Sequence, residues 1–505
     1  MNMIKNSLNR LIPDNYKPFV SSSDYNNFDR ILIEEKESHN NGNKLVKTIS
    51  DVFDKLKIND GMTISFHHHL RDGDNVLNMV INEIKKRNLK NIVLAPSAIF
   101  PCHFPLCELI ENQNVTKIYT NYLNGEVSKT ICSGKLKDLL IMNTHGGRPR
   151  AIESGELHID VAFISVPCSD EFGNGNGIDG KSACGSLGYA ISDMLFADKK
   201  VVVTDNLVQK VEYKEIDEKY IDYVVKVDSL GDASKIVSGT TKITKDPVGL
   251  KIARDATKFI DEAGYIKEGF SMQTGAGGTS LAVTSYVREV MKEKNIHASF
   301  ASGGITAYFT QMLEEGLIDK IYDVQSFDLS AVKSLKENSN HIAISGSKYA
   351  NPFDDSVVNK LDFVILGATE VDLNFNVNVT TSSMGNIIGG SGGHADTANG
   401  AKLTVIVTPL VKSRIPIIKK EVTTITTPGS DVDVIVTDRG IAINPLRKDL
   451  IDKMEKSKLN IVSIEELYKK AYSITGIPSE IKTSKEVIGV VMYRDGTVID
   501  SLYKI

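Results

Sequence analysis

Ile159–Asp170 reads IDVAFISVPCSD and Leu361–Asp372 reads LDFVILGATEVD, two apolar runs 202 residues apart. The offset recurs on both sides of them. Lys117–Tyr119 and Lys320–Tyr322 both read KIY, 203 residues apart, and KVVVTDNLV (Lys200–Val208) parallels TVIVTPLV (Thr404–Val411), with Thr204 and Thr408 separated by 204. Three matches in one order at a nearly constant offset indicate two tandem copies of one fold. The runs are apolar throughout rather than alternating, which is the pattern of strands buried on both faces.

Each copy opens alike. GMTISF is a strand, HHHLRDGD a loop, and a helix follows with Asp74 as its cap and Leu77, Val80, Ile81 and Ile84 at helical spacing. In the second copy EGFSMQT is the strand, GAGG the loop, Thr279 or Ser280 the cap, and Val283, Val287, Val290 and Met291 the buried stripe. Such strands alternating with helices predict an α/β fold, two open, mostly parallel sheets covered by helices. The expected organisation is an arm over residues 1–44, a first domain over 45–235 and a second over 236–505. Residues 230–246 form the join, and Asp246-Pro247 starts a helix that ends before Gly264. The strand-rich C-terminal part, closed by a hairpin turning at Asp495-Gly496, is expected to extend the second copy.

The 505 residues carry 59 basic and 64 acidic side chains, a net charge of −5 with 24% charged and 41% hydrophobic residues. That is a soluble globular profile, without the basic excess that nucleic acid or an anionic membrane surface demands. Five cysteines with no CxxC pair, no apolar leader and no apolar run near the ~18 residues of a membrane span lead to the expectation of a reducing cytoplasm.

Ligands of open α/β sheets bind beyond the carboxyl ends of strands, so the loops there are the candidate sites. GAGGTS (Gly275–Ser280) lies between a strand and a helix, where exposed amides hold an anion or a developing oxyanion. GNIIGGSGGHADTANGAK (Gly385–Lys402) is denser in glycine and suits a close approach to a ligand, although its spacing is neither a Walker loop nor a dinucleotide fingerprint. SFHHHLRDGD carries His67, His68, His69 and Arg71. Consecutive histidines alternate faces and no second ligand motif accompanies them, so no metal is expected. THGGRPRAIESGEL adds His145, Arg148 and Arg150. Arginine forks match carboxylates, and the two loops together make a candidate polycarboxylate site.

SFHHHLRDGD, THGGRPRAIESGE, HIDVAFISVPCSDEFGNGNG and IGGSGGHADTANGAK together resemble the citrate lyase alpha-chain family, relatives of the acyl-CoA:carboxylate CoA-transferases, over nearly the whole chain. The resemblance implies two CoA-transferase-like halves. It implies a transferase that exchanges acetyl for citrate on a thioester, releasing acetate and leaving citryl thioester for a separate beta lyase chain. The implied thioester is that of an acyl carrier protein (gamma) chain with a dephospho-CoA-type prosthetic group. Acetyl-CoA can stand in for it, no tightly bound cofactor is expected, and the chains form a large hetero-oligomer. Carried onto this chain, Gly275, Gly277 and Gly278 stabilise the oxyanion. His67, His68, His69, Arg71, Arg148 and Arg150 bind citrate, and Gly389, Gly390, Gly392, Gly393 and His394 line the carrier arm.

Many CoA-transferases use a covalent glutamate in a segment reading roughly HTE. Here His297-Ala298-Ser299-Phe300 is matched to it, with Ser299 at the glutamate's place, which favours direct attack in a ternary complex. Glu370 has Cys168 as its counterpart and is read as structural. The alternatives are a covalent-glutamate CoA-transferase for acetate or a hydroxyacid, and a non-catalytic scaffold of an acyl-carrier complex.

Overall fold

In the computed structural model, which describes residues 2–21, 29–40, 42–237, 242–478 and 484–505, the repeat becomes a repeat of topology. One sheet runs Leu140–Met142, Val115–Thr120, Ile92–Pro96, Thr63–Phe66, Val161–Ser165, Lys199–Thr204, Tyr223–Lys226. The other runs His341–Ala343, Ile318–Ser326, Ala298–Ile305, Phe270–Thr274, Phe363–Gly367, Thr404–Val407, Val434–Thr437. These seven strands of each sheet, numbered within each copy, stand in the order 4-3-2-1-5-6-7 and pair in parallel with one another, while Gly440–Ile443 adds an antiparallel edge to the second sheet. The KIY matches fall on the third strand of each sheet and the apolar runs on the fifth and sixth.

The strands are buried on both faces because helices cover both. Val161–Ser165 is buried at all five positions. Leu77, Val80, Ile81 and Ile84 of the helix Val76–Arg87 are at most 1% exposed; its flanking residue is Asn75, and the expected cap Asp74, one residue earlier, accepts from the amides of Val76 (3.0 Å) and Leu77 (3.3 Å). Val283, Val287 and Met291 of the helix Gly278–Lys294 are likewise buried, with Val290 only partly so. That helix starts one residue before the expected caps. Gly277 is its first flanking residue, Thr279 and Ser280 lie inside it, and no side chain caps it. Asp246 caps Pro247–Glu262 as its sequence predicts.

Two parts of the chain sit elsewhere than the sequence suggests. The C-terminal hairpin, Val487–Met492 with Val498–Tyr503, does not extend the second sheet. It pairs in parallel with Leu140–Met142 and covers the edge of the first, an edge that would otherwise expose unpaired backbone. Its turn carries Arg494, fully buried, which donates to Asn359 (3.1 Å), Asn399 (2.8 Å) and the Ala350 carbonyl (3.0 Å) and so fastens the two halves together. The N-terminal arm is packed rather than free: Ile12 and Phe19 are buried, and Phe19 donates its amide to the Val498 carbonyl at 3.1 Å. Within the expected join, residues 238–241 lie outside the described residues. No helix among the described residues is long and apolar enough to cross a membrane.

In each sheet the first strand lies between the second and the fifth, so the chain reverses its winding there, and crevices open beyond the carboxyl ends at such points. The two carboxyl ends face one another across a shared cavity.

Candidate functional site

The cavity has a volume of about 500 Å³, and both halves line it. The second half contributes the loops after its first and fifth strands, Thr274–Gly277 and Leu366–Thr369, which is its switch point. The first half contributes His68 and Arg71 after its first strand, Phe100 after its second, Tyr122 after its third and His145 after its fourth. Among the described residues, no aspartate or glutamate lines the wall.

Arg71 is the cation of this cavity. Its guanidinium lies 4.4 Å from the ring centre of Phe327, which belongs to the other half, and 5.9 Å from that of Phe100. Nη1 is buried without a hydrogen-bond partner, and burial pulls the group below its usual pKa. The backbone at Arg71 is left-handed, with φ of +55°, a conformation that costs a residue with a β-carbon about 1–2 kcal/mol. An unpaired, desolvated guanidinium on a strained backbone is a feature the fold itself does not satisfy.

His68 is held across the junction of the halves. The Gln325 side chain donates from Nε2 to the His68 carbonyl at 2.7 Å, so its Oε1 faces His68 Nε2 at 2.8 Å. That acceptor puts the imidazole proton on Nε2, leaving Nδ1 to accept from the Ser97 hydroxyl at 2.5 Å. The ring stacks on Tyr189 (4.9 Å between centres), which packs in turn against His145 (4.5 Å). Burial, reinforced by neighbouring positive charge, keeps His68 well below its usual pKa and takes His145 down to about 3. The slab is therefore neutral at physiological pH.

The remaining members of the histidine and arginine loops lie outside the cavity wall. His67 is buried against Ser165, with Nε2 3.0 Å from its carbonyl oxygen and 3.1 Å from its amide. His69 lies beside Asp74 at 3.4 Å, within a group that includes His103. Arg148 is fully buried in a two-pronged pair with Asp193 (2.8 and 2.9 Å) and also donates to Ser65 and the Ala95 carbonyl. Arg150 makes a two-pronged pair with Glu156. The expectation that both arginines face a carboxylate ligand is thus replaced by internal ion pairs, because their helix, Gly147–Glu153, is buried at every position.

The glycine loops divide in a similar way. Gly275 lines the cavity, but its amide donates to the Ile365 carbonyl at 2.7 Å and is not available to an oxyanion. Ala276 and Gly277, also on the wall, have amides with no acceptor among the described residues. Gly278 begins the helix behind them. Gly389, Gly390, Gly392 and Gly393 line the opposite wall where the loop threads between the halves. A β-carbon at Gly390 would collide with the Asn121 carbonyl, and one at Gly393 would stand 2.5 Å from the Tyr349 hydroxyl. Closeness of protein to protein, as much as to a ligand, demands glycine there. His394 reaches the wall with both ring nitrogens engaged, Nδ1 by Thr427 (2.7 Å) and Nε2 by the Gly367 carbonyl (2.9 Å).

Ser299 stands near the start of its strand, Ala298–Ile305, donating to the Phe270 carbonyl at 3.1 Å. The residue of that strand on the cavity wall is Gly304, at the other end. Glu370 is fully buried outside the cavity. It accepts from Asn378 (2.9 Å), Ser383 (2.6 Å) and the Thr423 amide (2.7 Å) and is paired with Lys419. Burial raises its carboxyl, and the Lys419 ammonium with these hydrogen bonds outweighs that, leaving it below its ordinary pKa.

Sequence motifs do not point to Tyr189, Tyr349, Gln273 or Gln325. The repeat does carry a signal for one of them. The 203-residue offset maps Tyr122 onto Gln325, and both line the cavity from the end of a third strand.

The match to the family model described as citrate lyase, alpha subunit, spans residues 42–505. The chain is 48% identical over 464 residues to the citrate lyase alpha chain of Haemophilus influenzae, covering 92% of this chain and 93% of that one. To the Escherichia coli alpha chain it is 47% identical, covering 92% and 91%. A Streptococcus mutans structure described as the alpha subunit of citrate lyase in complex with citrate superposes with a TM-score of 0.96 at 45% identity, over 99% of this chain and 100% of that one. A malonate decarboxylase alpha subunit from Acinetobacter baumannii shares the fold at 14% identity, with a TM-score of 0.64 over 87% and 86% of the two chains. With one topology repeated in both halves and a family match over nearly its full length, the chain belongs to the citrate lyase alpha-chain family.

Proposed function

We propose that this chain exchanges the acyl group of an acetyl thioester for citrate within the shared cavity, by direct reaction of the two bound substrates. The observation that carries the proposal is Arg71, a guanidinium unpaired among the described residues in a cavity where none of them offers a carboxylate to the wall. A cavity that offers a desolvated cation and no anion is selective for a carboxylate ligand. The Streptococcus mutans relative, described as a complex with citrate, supports the choice of carboxylate.

In this reading Arg71 grips one citrate carboxylate in its fork while another attacks the acetyl carbonyl. The neutral His68–Tyr189–His145 slab supplies a wall that neither competes for the charge nor repels the thioester. The tetrahedral oxyanion forms opposite the amides of Ala276 and Gly277. Its collapse expels the thiolate and leaves a mixed acetyl–citryl anhydride. The thiolate then attacks the citryl carbonyl, forms citryl thioester and expels acetate. No proton is gained or lost over the two steps, which suits a site built from neutral histidines. Both reactants are held in one cavity, so the rate comes from positioning more than from a protein nucleophile. The carrier protein would deliver the thioester, and a separate lyase chain would consume the product.

The test is citrate-dependent release of acetate from acetyl-CoA by the purified chain, followed by mass spectrometry of enzyme incubated with acetyl-CoA alone. Release with no hydroxylamine-sensitive protein adduct is expected. A stoichiometric glutamyl adduct overturns the direct route, and release with a different carboxylate but not citrate overturns the substrate.

A further inference from the structure

A second and larger concavity, about 1380 Å³, lies beside the catalytic cavity, with walls that include Met384, Asn386, Ile415, Lys420 and Tyr468. The two concavities share one strip of chain. Residues 381–387 fold back on themselves, with an isolated bridge between Thr381 and Ile387 and a bond from the Ser382 amide to the Asn386 carbonyl (2.8 Å). Met384 and Asn386 face the groove and Ile388 faces the cavity. Two residues of chain span at most about 7 Å, so whatever lies on the groove reaches the cavity mouth directly.

The groove wall carries exposed apolar side chains together with Lys420, and the hairpin that brings Ile415 to the wall carries further cations, Lys412 and Arg414, beside it. Met384 is 62% exposed and Ile415 41%. Ile415 opens the second strand of a small hairpin, Val411–Lys412 with Ile415–Pro416, whose turn residues Ser413 and Arg414 are both left-handed. This hairpin and the segment after it carry Lys412, Arg414, Lys419 and Lys420 within nine residues of a chain whose net charge is −5. Lys419 is paired with Glu370, and Lys129 on the facing wall is paired with Glu126. Lys412, Arg414 and Lys420 form no ion pair among the described residues, and Glu421 is the acidic side chain on the groove wall. An apolar centre with an adaptable methionine, bordered by three unpaired cations against the one unpaired carboxylate of Glu421, has the anatomy of a protein interface whose partner carries an acidic excess.

Resting on the function proposed above, we infer that this groove docks an acidic carrier protein, seating it so that its thioester arm enters the cavity past Ile388. Unpaired cations steer an acidic partner from a distance, and Met384 and Ile415 then supply the contact area that the charges do not. A free thioester such as acetyl-CoA needs only the cavity. The groove therefore separates the two acyl donors.

The experiment uses the full chain, with acetyl-CoA and the acetylated carrier subunit of a citrate lyase as alternative donors. The charge-reversed variant Lys412→Glu/Arg414→Glu/Lys420→Glu and, separately, Met384→Asp are compared with the parent. The expected result is a KM for the acetylated carrier raised tenfold or more in each variant, with kcat within twofold and the KM for acetyl-CoA unchanged. In the parent alone, the KM for the carrier should climb steeply with salt. An unchanged carrier KM in both variants overturns the proposal. An equal rise for both donors overturns it as well, since the groove would then bind the thioester moiety itself. Absence of acetate release from acetyl-CoA in the parent is a failure of the proposed function and is recognisable as such.

Discussion

Replacing Arg71 with glycine should separate the stability of this protein from its capacity to hold a carboxylate. Three effects on stability can be read from the surroundings of the residue. The left-handed backbone, φ +55°, costs a residue with a β-carbon about 1–2 kcal/mol, which glycine does not incur. The buried Nη1 without a partner costs about 1–3 kcal/mol, and its removal returns that amount. Against these stand the contact with Phe327 at 4.4 Å, worth about 2 kcal/mol when desolvated, and the greater freedom of glycine in the unfolded chain, about 1 kcal/mol. The sum lies within about 2 kcal/mol of zero, so Tm should move by only a few degrees. Citrate loses its charged partner, which costs about 2–5 kcal/mol or roughly 30- to 5,000-fold in kcat/KM. The assays are thermal unfolding with and without citrate and citrate-dependent acetate release from acetyl-CoA. Arg71→Ala, which retains the left-handed cost, should melt below Arg71→Gly while losing citrate equally. If citrate raises the Tm of Arg71→Gly as much as that of the parent, or the variant melts more than about 10 °C lower, the guanidinium belongs to the fold and the reasoning fails.

Further expectations concern residues around the cavity. Gln325→Glu removes the donor to the His68 carbonyl and sets a carboxylate beside Nε2, which should raise the pKa of His68 and move the acid limb of kcat/KM upward. Gln325→Ala should lower kcat about 10- to 100-fold, the worth of two hydrogen bonds, without moving that limb; identical pH profiles for the Glu variant and the parent would refute the clamp. Arg148→Ala, which strands Asp193, should destabilise the protein by about 3–5 kcal/mol in urea titrations yet leave the KM for citrate unchanged. A selective loss of citrate affinity in that variant would return Arg148 to the substrate. Burial holds His67 neutral, with a pKa of about 3 against its usual 6.5. The unfolded chain therefore binds more protons between those values, and stability falls as pH drops below 6.5. At pH 5 the loss is about 2 kcal/mol, and His67→Asn should lessen the difference between unfolding free energies at pH 7 and pH 5 by that amount. An unchanged difference would show that the imidazole gains its proton as easily in the folded state.

Much of the architecture is legible along the chain because it depends on local periodicity. The apolar runs at Ile159 and Leu361 and the KIY pairs are short-range patterns that take matching places in the two sheets, and Asp246 caps its helix while Asp74 accepts from its helix's first amides one residue before the cap. The offset between the copies even aligns Tyr122 with Gln325, two cavity residues that no motif marks. Both glycine-rich loops border the cavity, although Gly275 uses its amide within the protein and the glycines from Gly389 to Gly393 also serve close packing between the halves.

Which charges remain free is another matter. Arg71, Arg148 and Arg150 look alike in the sequence, three arginines in polar, glycine-containing loops. Only the assembled structure finds Asp193 for one and Glu156 for another, from positions 45 and 6 residues away, while it leaves the third facing a wall to which the described residues bring no carboxylate. The hairpin that closes the chain likewise reads as an extension of what precedes it, yet it covers an edge opened more than 340 residues earlier. Strand formation is decided by neighbours in the chain, whereas pairing of edges and neutralisation of buried charge are decided by neighbours in space. Composition and repeat therefore determined the two α/β copies, and the meeting of their carboxyl ends determined that Arg71 alone among those three arginines is left without a carboxylate among the described residues.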